Sequence, residues 1–263
     1  MKNSIFYFSG TGNSLSLSKD LVGELSGFDV IPMASVWEAK TIQLAGDAVG
    51  LVFPLYYAGL PDLVCQFVRR ASFPKGCYIF AVVAAAFPWS GRALHQLGRM
   101  LRRRGHALAG GFYVETVENY LPKYTIVPLE QQRATIEKSR ETVRTIGEKI
   151  TARVRHLDPD PAWYLYAIYP LFLAFLHQYD RLFRVGSRCN GCGICAKVCP
   201  VRNVDMAEGR PLWHHRCQFC MGCINWCPKA VIEWGKATST HGRYRNPGVT
   251  VQEIALQSRA RIP

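Results

Sequence analysis

The sequence predicts an α/β protein, with a parallel sheet covered by helices on both faces and a smaller cysteine-rich unit behind it. Three observations predict this. Short apolar runs alternate with amphipathic stretches through residues 1–157, the pattern of repeated βαβ units. A loop with two glycines follows the first apolar run directly and opens into a helix. Eight of the ten cysteines fall between positions 189 and 227, which marks a boundary near Arg188.

Taken in order, Ser4–Phe8, Asp29–Met33, Ala48–Phe53, Cys77–Ala84 and Leu108–Glu115 read as strands. Between and after them Ser14–Ser26, Pro61–Ala71, Arg92–Arg104 and Leu129–His156 read as helices. Asp158-Pro159-Asp160-Pro161 breaks the last helix, because proline lacks the amide a helix interior needs. The expected division is 1–157 for the α/β unit, 158–185 for an aromatic-rich connector, 186–235 for the cysteine unit and 236–263 for a C-terminal extension. The connector lacks the Gly/Ser composition of a flexible linker, and its apolar residues fit packing between units better than a membrane surface.

Composition narrows the function classes. Hydrophobic residues make up 49% and charged residues 19%, which excludes a disordered or highly solvated chain. The start carries too short an apolar run for a secretory leader, and Ala162–Leu176 is too short to cross a bilayer, so a cytoplasmic protein without a membrane span is expected. In that setting ten cysteines read as metal ligands or redox groups rather than disulfides.

Their spacing is the most specific signal in the chain. Cys189, Cys192, Cys195 and Cys199 precede Pro200 in the pattern C-x2-C-x2-C-x3-C-P, and Cys217, Cys220, Cys223 and Cys227 precede Pro228 in the same pattern. Three closely spaced thiolates can hold three corners of an iron–sulfur cube, while the fourth cysteine, redirected by its proline, reaches the other cube. Cys189, Cys192, Cys195 and Cys227 are therefore assigned to one 4Fe–4S cluster, and Cys217, Cys220, Cys223 and Cys199 to the second. A pair of structural zinc sites is the alternative, but zinc leaves the third cysteine of each C-x2-C-x2-C without a task. Residues 186–235 resemble a two-cluster bacterial ferredoxin, which implies a small α+β fold around the cubes. Ile194, Val198, Ile224, Trp226 and Val231 would line it, and His214 and His215 read as surface or supporting residues.

The loop Ser9-Gly10-Thr11-Gly12-Asn13-Ser14 points to an anion. Its glycines permit a tight turn, its amides face inward, and Ser9, Thr11, Asn13 and Ser14 add side-chain hydrogen-bonding groups. The dinucleotide fingerprint fails because Leu15 stands at the third glycine, and the P-loop fails for want of a lysine. The pattern [ST]-x-T-G-x-[ST] at Ser9, Thr11, Gly12 and Ser14 resembles the flavodoxin phosphate loop. That resemblance covers residues 1–155 and implies a doubly wound, five-stranded parallel sheet of order 2-1-3-4-5, with FMN at the carboxyl ends of the first and third strands. The loops there supply the candidate ring contacts: Pro54, Leu55, Tyr56, Tyr57, Ala58 and Gly59 after the third strand, Ala86, Phe87, Trp89 and Gly91 after the fourth. Tyr56 and Trp89 stand where the family places stacking aromatics, with Tyr57 and Phe87 as alternatives.

The whole chain resembles the flavodoxin–ferredoxin fusion proteins of anaerobic microbes, carried also by Phe53-Pro54, Gly59-Leu60-Pro61 and Arg243-Tyr244-Arg245-Asn246-Pro247. The resemblance implies FMN, two 4Fe–4S clusters and transfer of single electrons to or from a redox partner. The net charge of +13 departs from acidic flavodoxins and suits an acidic protein partner. Arg69, Arg70, Arg99, Arg102, Arg103 and Arg104 could steer such a partner to the flavin side, or simply solvate two helix ends. No nucleic-acid-binding motif, G-x-S-x-G, H-E-x-x-H or catalytic triad is present, and no catalytic residue is nominated. An FMN-dependent reductase fed by the clusters and a redox-sensing adaptor are the alternative readings. Cys65 and Cys77 read as buried, inert thiols.

Overall fold

A computed structural model describes residues 2–36, 38–87, 91–160 and 163–259. The expected strands form as β1 (Asn3–Tyr7), β2 (Phe28–Pro32), β4 (Ala48–Pro54), β6 (Tyr78–Ala85) and β7 (Leu108–Glu115), with a two-residue parallel pair, β3 (Ile42–Gln43) and β5 (Ala71–Ser72), beside them. The main sheet is parallel throughout, in the order β2-β1-β4-β6-β7 followed by a short sixth strand, β8 (His156–Leu157). Counting the long strands alone, this is the flavodoxin-like order 2-1-3-4-5.

Alternation along each strand divides the core into two layers. Phe6, Leu51, Phe53, Ala81 and Val83 face α2 (Asp62–Arg70) and α3 (Ala93–Arg102), where Leu63, Phe67, Leu97 and Leu101 meet them. Ile5, Val52, Phe80, Val82 and Phe112 face α1 (Asn13–Glu24) and α4 (Leu129–Thr151), where Leu17, Leu21, Val143, Ile146 and Ile150 close the layer. Burial of each such side chain contributes about 1.5–3 kcal/mol, so the sheet rather than any single helix dominates stability.

Two features depart from the five-strand expectation. The last helix ends at Thr151 rather than His156, because Arg153 turns into the left-handed region at φ 50° and Val154 gives its carbonyl to Tyr78 Oη at 2.8 Å. The chain then runs as β8 along β7. Asp158 holds it there by accepting Tyr113 N at 2.7 Å, and Asp160 accepts Tyr113 Oη at 2.5 Å. Asp158 and Asp160 thus anchor the chain on the sheet edge, and the expected helix stop at Asp158-Pro159 is not needed, because the helix has already ended at Thr151.

Residues beyond the sheet wrap its carboxyl end. The connector forms α5 (Tyr169–Phe175), which buries Tyr169 and Phe172 and leaves Leu171 and Phe175 outward. The cysteine unit has two antiparallel pairs, β9 (Phe183–Val185) with β12 (Ile232–Trp234) and β10 (Val204–Ala207) with β11 (Arg210–Trp213). Two four-residue helices, α6 (Ile194–Lys197) and α7 (Gly222–Asn225), follow left-handed residues Gly193 and Met221, a repeat in structure that mirrors the repeat in sequence. Among the described residues no helix is long and apolar enough to cross a membrane.

The C-terminal extension returns to the α/β unit. Its helix α8 (Val251–Arg259) begins with a capping box, in which Glu253 Oε2 accepts Thr250 N at 2.7 Å and Thr250 Oγ1 accepts Glu253 N at 3.2 Å. Lys19 of α1 pairs with Glu253 at 2.7 Å, and these bonds hold its carboxyl down at about 2. A carboxyl depressed in the folded state stabilises above its ordinary value and loses that contribution as pH falls toward the depressed one. Glu253→Gln is therefore expected to lower the urea midpoint at pH 7, with the gap to the parent protein closing between about pH 4.5 and 2.

Candidate functional site

The loop after β1 is held from three sides. Ser9 N donates to Gln257 Oε1 at 3.0 Å and Ser9 O accepts Gln257 Nε2 at 2.8 Å, so α8 grips its first residue. Asn246 N donates to Thr11 O at 2.9 Å, and Asn119 Nδ2 donates to Thr11 Oγ1 at 2.7 Å. Asn13 Oδ1 accepts Tyr244 Oη at 2.7 Å, while Asn13 Nδ2 donates to Val117 O at 3.0 Å. Ser9 Oγ accepts Gly12 N at 3.1 Å.

Two glycines have steric duties. Gly12 lies at φ +106°, and a Cβ there would stand 2.9 Å from Asn246 Cβ. At Gly10 a Cβ would stand 2.2 Å from the carbonyl oxygen of Cys220, so the cysteine unit sits directly on this loop. Trp226 Nε1 donates to Gly10 O at 3.0 Å and fixes the contact.

With these groups engaged, Ser14 Oγ remains buried and without a hydrogen-bond partner. It lies in the first turn of α1, whose leading amides have no intrahelical acceptors. An anion bound here would satisfy both and meet the positive end of the helix dipole.

Beside the loop opens a cavity of about 310 Å³. Ser9, Gly10, Thr11, Asn13, Ser14, Pro54, Leu55, Tyr56, Tyr57, Ala58, Ala86 and Phe87 border it, all nominated from the sequence. Gly12, Gly59 and Gly91 do not border it; Gly12 faces Asn246, Gly59 lies under the Tyr169 ring and Gly91 under Leu55. Trp89 lies outside the described residues.

Tyr56 and Gly59 exchange backbone hydrogen bonds of 3.0 and 2.8 Å across a tight turn whose central residues, Tyr57 and Ala58, have φ of 47° and 64°. Neither is glycine, so this turn stores strain beside the cavity. The Tyr57 ring is already stacked on Phe172 at 3.8 Å and its hydroxyl meets that of Tyr120. Burial raises the Tyr57 phenol above its ordinary value, and it raises Tyr56 further, with charge on Cys220 and Cys217 adding to the effect. Both stay neutral in the physiological range.

Sequence reasoning missed the loop after β7. Thr116, Val117, Glu118, Asn119 and Tyr120 form one wall, with Lys123 and Tyr124 beyond. The position of β7 next to β6, with its carboxyl end toward the same crevice, is the signal that could have found them. Glu118 accepts the amides of Asn119 and Tyr120 at 2.7 Å each, yet burial raises its carboxyl above the ordinary range. Phe219, Cys220 and Met221 of the cysteine unit complete the lining.

The eight cysteines fall into two groups. Cys189, Cys192, Cys195 and Cys227 ring one small cavity, and Cys199, Cys217, Cys220 and Cys223 ring another. Each set draws three cysteines from one repeat and one from the other. Burial pushes the Cys195 thiol up to about 11 and the Cys199 thiol up to about 12, and raises Cys217, Cys220 and Cys223 as well. Thiols so placed ionise only against a bound cation. Asn203 N points at Cys199 Sγ and Phe219 N at Cys217 Sγ, both at 3.2 Å, the amide–sulfur contacts that tune a cluster.

His214 and His215 turn away from the sulfurs. His215 Nδ1 meets Asp180 at 2.6 Å and His214 Nε2 meets Asp205 at 2.8 Å. Asp180 is buried and also accepts Asn203 Nδ2 at 2.9 Å, which steadies the residue that makes the Cys199 contact. Cys65 is buried against Tyr169 Oη with its thiol pushed up to about 11, and Cys77 is half-buried with its thiol raised by burial.

The arginine cluster lies away from the cavity. Arg69, Arg70, Arg99 and Arg102 close α2 and α3, and in a parallel sheet those helix ends lie at the amino ends of the next strands. Eight-residue strands at about 3.3 Å per residue put roughly 25 Å between that end and the cavity. Arg104 donates to Arg69 O and Ala71 O, and Arg70 to Ala39 O, so part of the cluster ties loops together. None of the six arginines borders the cavity.

Residues 186–204 match the model of the 4Fe-4S binding domain family. No curated protein matches the chain. Among solved structures, a flavodoxin from the domain Archaea is 18% identical with a TM-score of 0.34, covering 57% of this chain and 99% of its own. Rubredoxin oxygen:oxidoreductase from the anaerobe Desulfovibrio gigas is 16% identical with a TM-score of 0.38; the match covers 58% of this chain and 36% of that one. An azoreductase from Bacillus anthracis str. Sterne is 12% identical with a TM-score of 0.38, covering 57% of this chain and all of its own, 100%.

Gly10→Ala is expected to force the Cys220 loop off the α/β unit, lowering thermal stability and perturbing both sites together. Gly23→Ala, where an added Cβ meets nothing within 4 Å, is the control and is expected to be neutral or to stabilise by about 0.5–1 kcal/mol. Calorimetry on the two variants separates the cases.

Proposed function

We propose that this chain is an electron-transfer iron–sulfur flavoprotein, with FMN in the cavity beside Ser14 and two 4Fe–4S clusters in the two cysteine sets. The single observation that carries the reading is Cys220. It borders the large cavity and one cysteine cavity at once, so one residue separates the two sites. FMN supplies one- or two-electron chemistry and each cubane one-electron chemistry, which lets a pair of electrons be split or assembled within one polypeptide.

The chain's own residues do the placing. Ser14 Oγ and the first-turn amides of α1 would hold the phosphate, and Ala84, Ala85 and Ala86 leave room for a flat ring against the strand ends. The aromatic wall of Tyr57, Tyr120 and Phe172 keeps water from the ring's edge. The four sulfurs of each set, three from one repeat and one from the other, line a small cavity rather than a single point. That arrangement supports cubes over zinc.

Glu118 favours the second reading, a reductase acting on a small substrate with the clusters as electron feed. A carboxyl raised by burial at the cavity wall is placed to exchange a proton with a substrate bound there. Reoxidation of the reduced protein distinguishes the two: rapid multiple turnover with one small acceptor, reduced by Glu118→Gln, would favour the reductase.

Anoxic purification followed by iron, sulfide and flavin analysis tests the main reading, with about one FMN and about eight irons per chain expected. Colourless preparations would overturn it. Ser14→Ala removes one hydrogen bond to a charged group, about 1.5–3 kcal/mol, so flavin affinity is expected to fall roughly 10- to 100-fold with iron unchanged.

A further inference from the structure

We propose that the surface around Cys192, bordered by Arg188, Arg210 and Lys229, is a docking face for an acidic one-electron carrier protein. This rests on the reading that Cys189, Cys192, Cys195 and Cys227 hold a cluster.

The two cysteine sets are not equivalent. The set with Cys220 lies against Gly10, and none of its four cysteines is exposed. In the other set Cys192 is exposed. A macromolecular carrier therefore meets the outer set first, and the surface there decides which carriers can dock.

That surface carries an excess of cations. Arg188 is exposed one residue before Cys189, and Lys229 is exposed where it borders the outer cavity. The turn from β10 to β11 folds onto the Cys189–Cys192 loop; a Cβ on Gly191 would stand 3.1 Å from Gly209 O. The same turn presents Arg210, whose guanidinium is fixed by donation to Val185 O at 2.6 Å. Glu208 is the acid of that turn, and nearby Glu233 is already paired with Arg243 at 2.6 Å. Among the described residues Arg188, Arg210 and Lys229 pair with no carboxylate. Their charge is left for a partner, at a place that leads to the outer sulfurs.

In the redox step the docked carrier, an iron–sulfur or flavin protein of acidic surface, is oxidised by one electron and the outer cube is reduced by one. The electron then moves inward. Two such transfers and two protons from water reduce one FMN fully.

The test uses oxidised, cluster-loaded full-length protein and an acidic plant-type 2Fe–2S ferredoxin as the probe. Titration calorimetry is expected to show binding that weakens as salt rises from about 20 to about 300 mM, because exposed charges are screened over about 10 Å. Arg188→Glu with Lys229→Glu is expected to weaken it at least tenfold at low salt and to flatten the salt dependence. Arg102→Glu with Arg103→Glu, at the far end of the sheet, is the control and is expected to leave binding unchanged. Iron content and photoreduction by a neutral deazaflavin radical are read alongside, and if the double variant loses iron, Arg188→Glu alone decides. Binding insensitive to salt and to both residues overturns the docking face while intact iron, flavin and photoreduction leave the electron-transfer reading standing. Absence of iron overturns the electron-transfer reading itself. Binding of a 20-nucleotide DNA through the same residues, with no ferredoxin binding, would also overturn the docking face.

Discussion

The close approach of the Cys220 carbonyl to Gly10 is the contact on which the rest depends. A backbone oxygen can lie there because position 10 has no side chain, and Trp226 secures the other face by its hydrogen bond to Gly10 O. Gly222 serves the same contact from the opposite side, with its own missing Cβ 3.2 Å from Gly10 O. The phosphate-type loop therefore has two tasks. Gly12 and Ser14 shape the proposed anion site, while Gly10 admits the cysteine unit. The tail adds Gln257, Asn246 and Tyr244, so the loop is fixed before any ligand arrives and binding need not repay its ordering.

The cysteine unit is in a different energetic position from the sheet. Its helices have four residues each and its strands three or four, too little for a self-sufficient core. Its buried side chains include two of the quartet cysteines: Cys195 and Cys217 sit in a cluster with Phe172, Leu176, Phe219 and Ile232. Thiols raised this far by burial oppose ionisation in the dry interior, whereas binding to iron would turn the same burial into shielding. Were metal to load here, folding of this unit and loading would be one equilibrium, and the aromatic connector, packed on it through Phe172 and Leu176, would share it.

Much of this was legible in the sequence, and the reasons differ by element. The long strands could be read because each is a buried apolar run bounded by turn residues, and both quartets because cysteine spacing is geometry written directly in the chain. The loop Ser9–Ser14 could be read as an anion site, but not the second duty of Gly10, since its partner lies 210 positions away. Gln257 was invisible for a similar reason: one glutamine in an amphipathic helix carries no mark of a buried backbone clamp. His156–Leu157 had too few residues to signal a strand, and only the pairing to Gly110 and Gly111 makes them one. The arginine cluster was visible as composition, while its distance from the cavity follows only once helix direction and strand direction are fixed.

The composition of the connector has its explanation in what it covers. A Gly/Ser tether would join the two units equally well, yet this one supplies Tyr169, Phe172 and Tyr179. Tyr57 stacks on Phe172, Phe172 meets Tyr179 at 5.8 Å, Tyr179 meets Phe219 at 4.8 Å and Phe219 meets Trp234 at 5.1 Å. This continuous aromatic layer runs from the cavity wall across the inner cysteine set and on to β12. Such a layer excludes water and lowers the local dielectric, which strengthens the amide–sulfur contacts beneath it and would strengthen amide contacts to an anion bound beside Ser14. Among the eight cysteines of the two quartets, Cys192 is the exposed one. The inner set shares Cys220 and Met221 with the lining of the cavity beside Gly10 and the outer set shares no lining residue with it, so were both sets to hold clusters, an electron entering at the outer quartet would reach the cavity by way of the inner one.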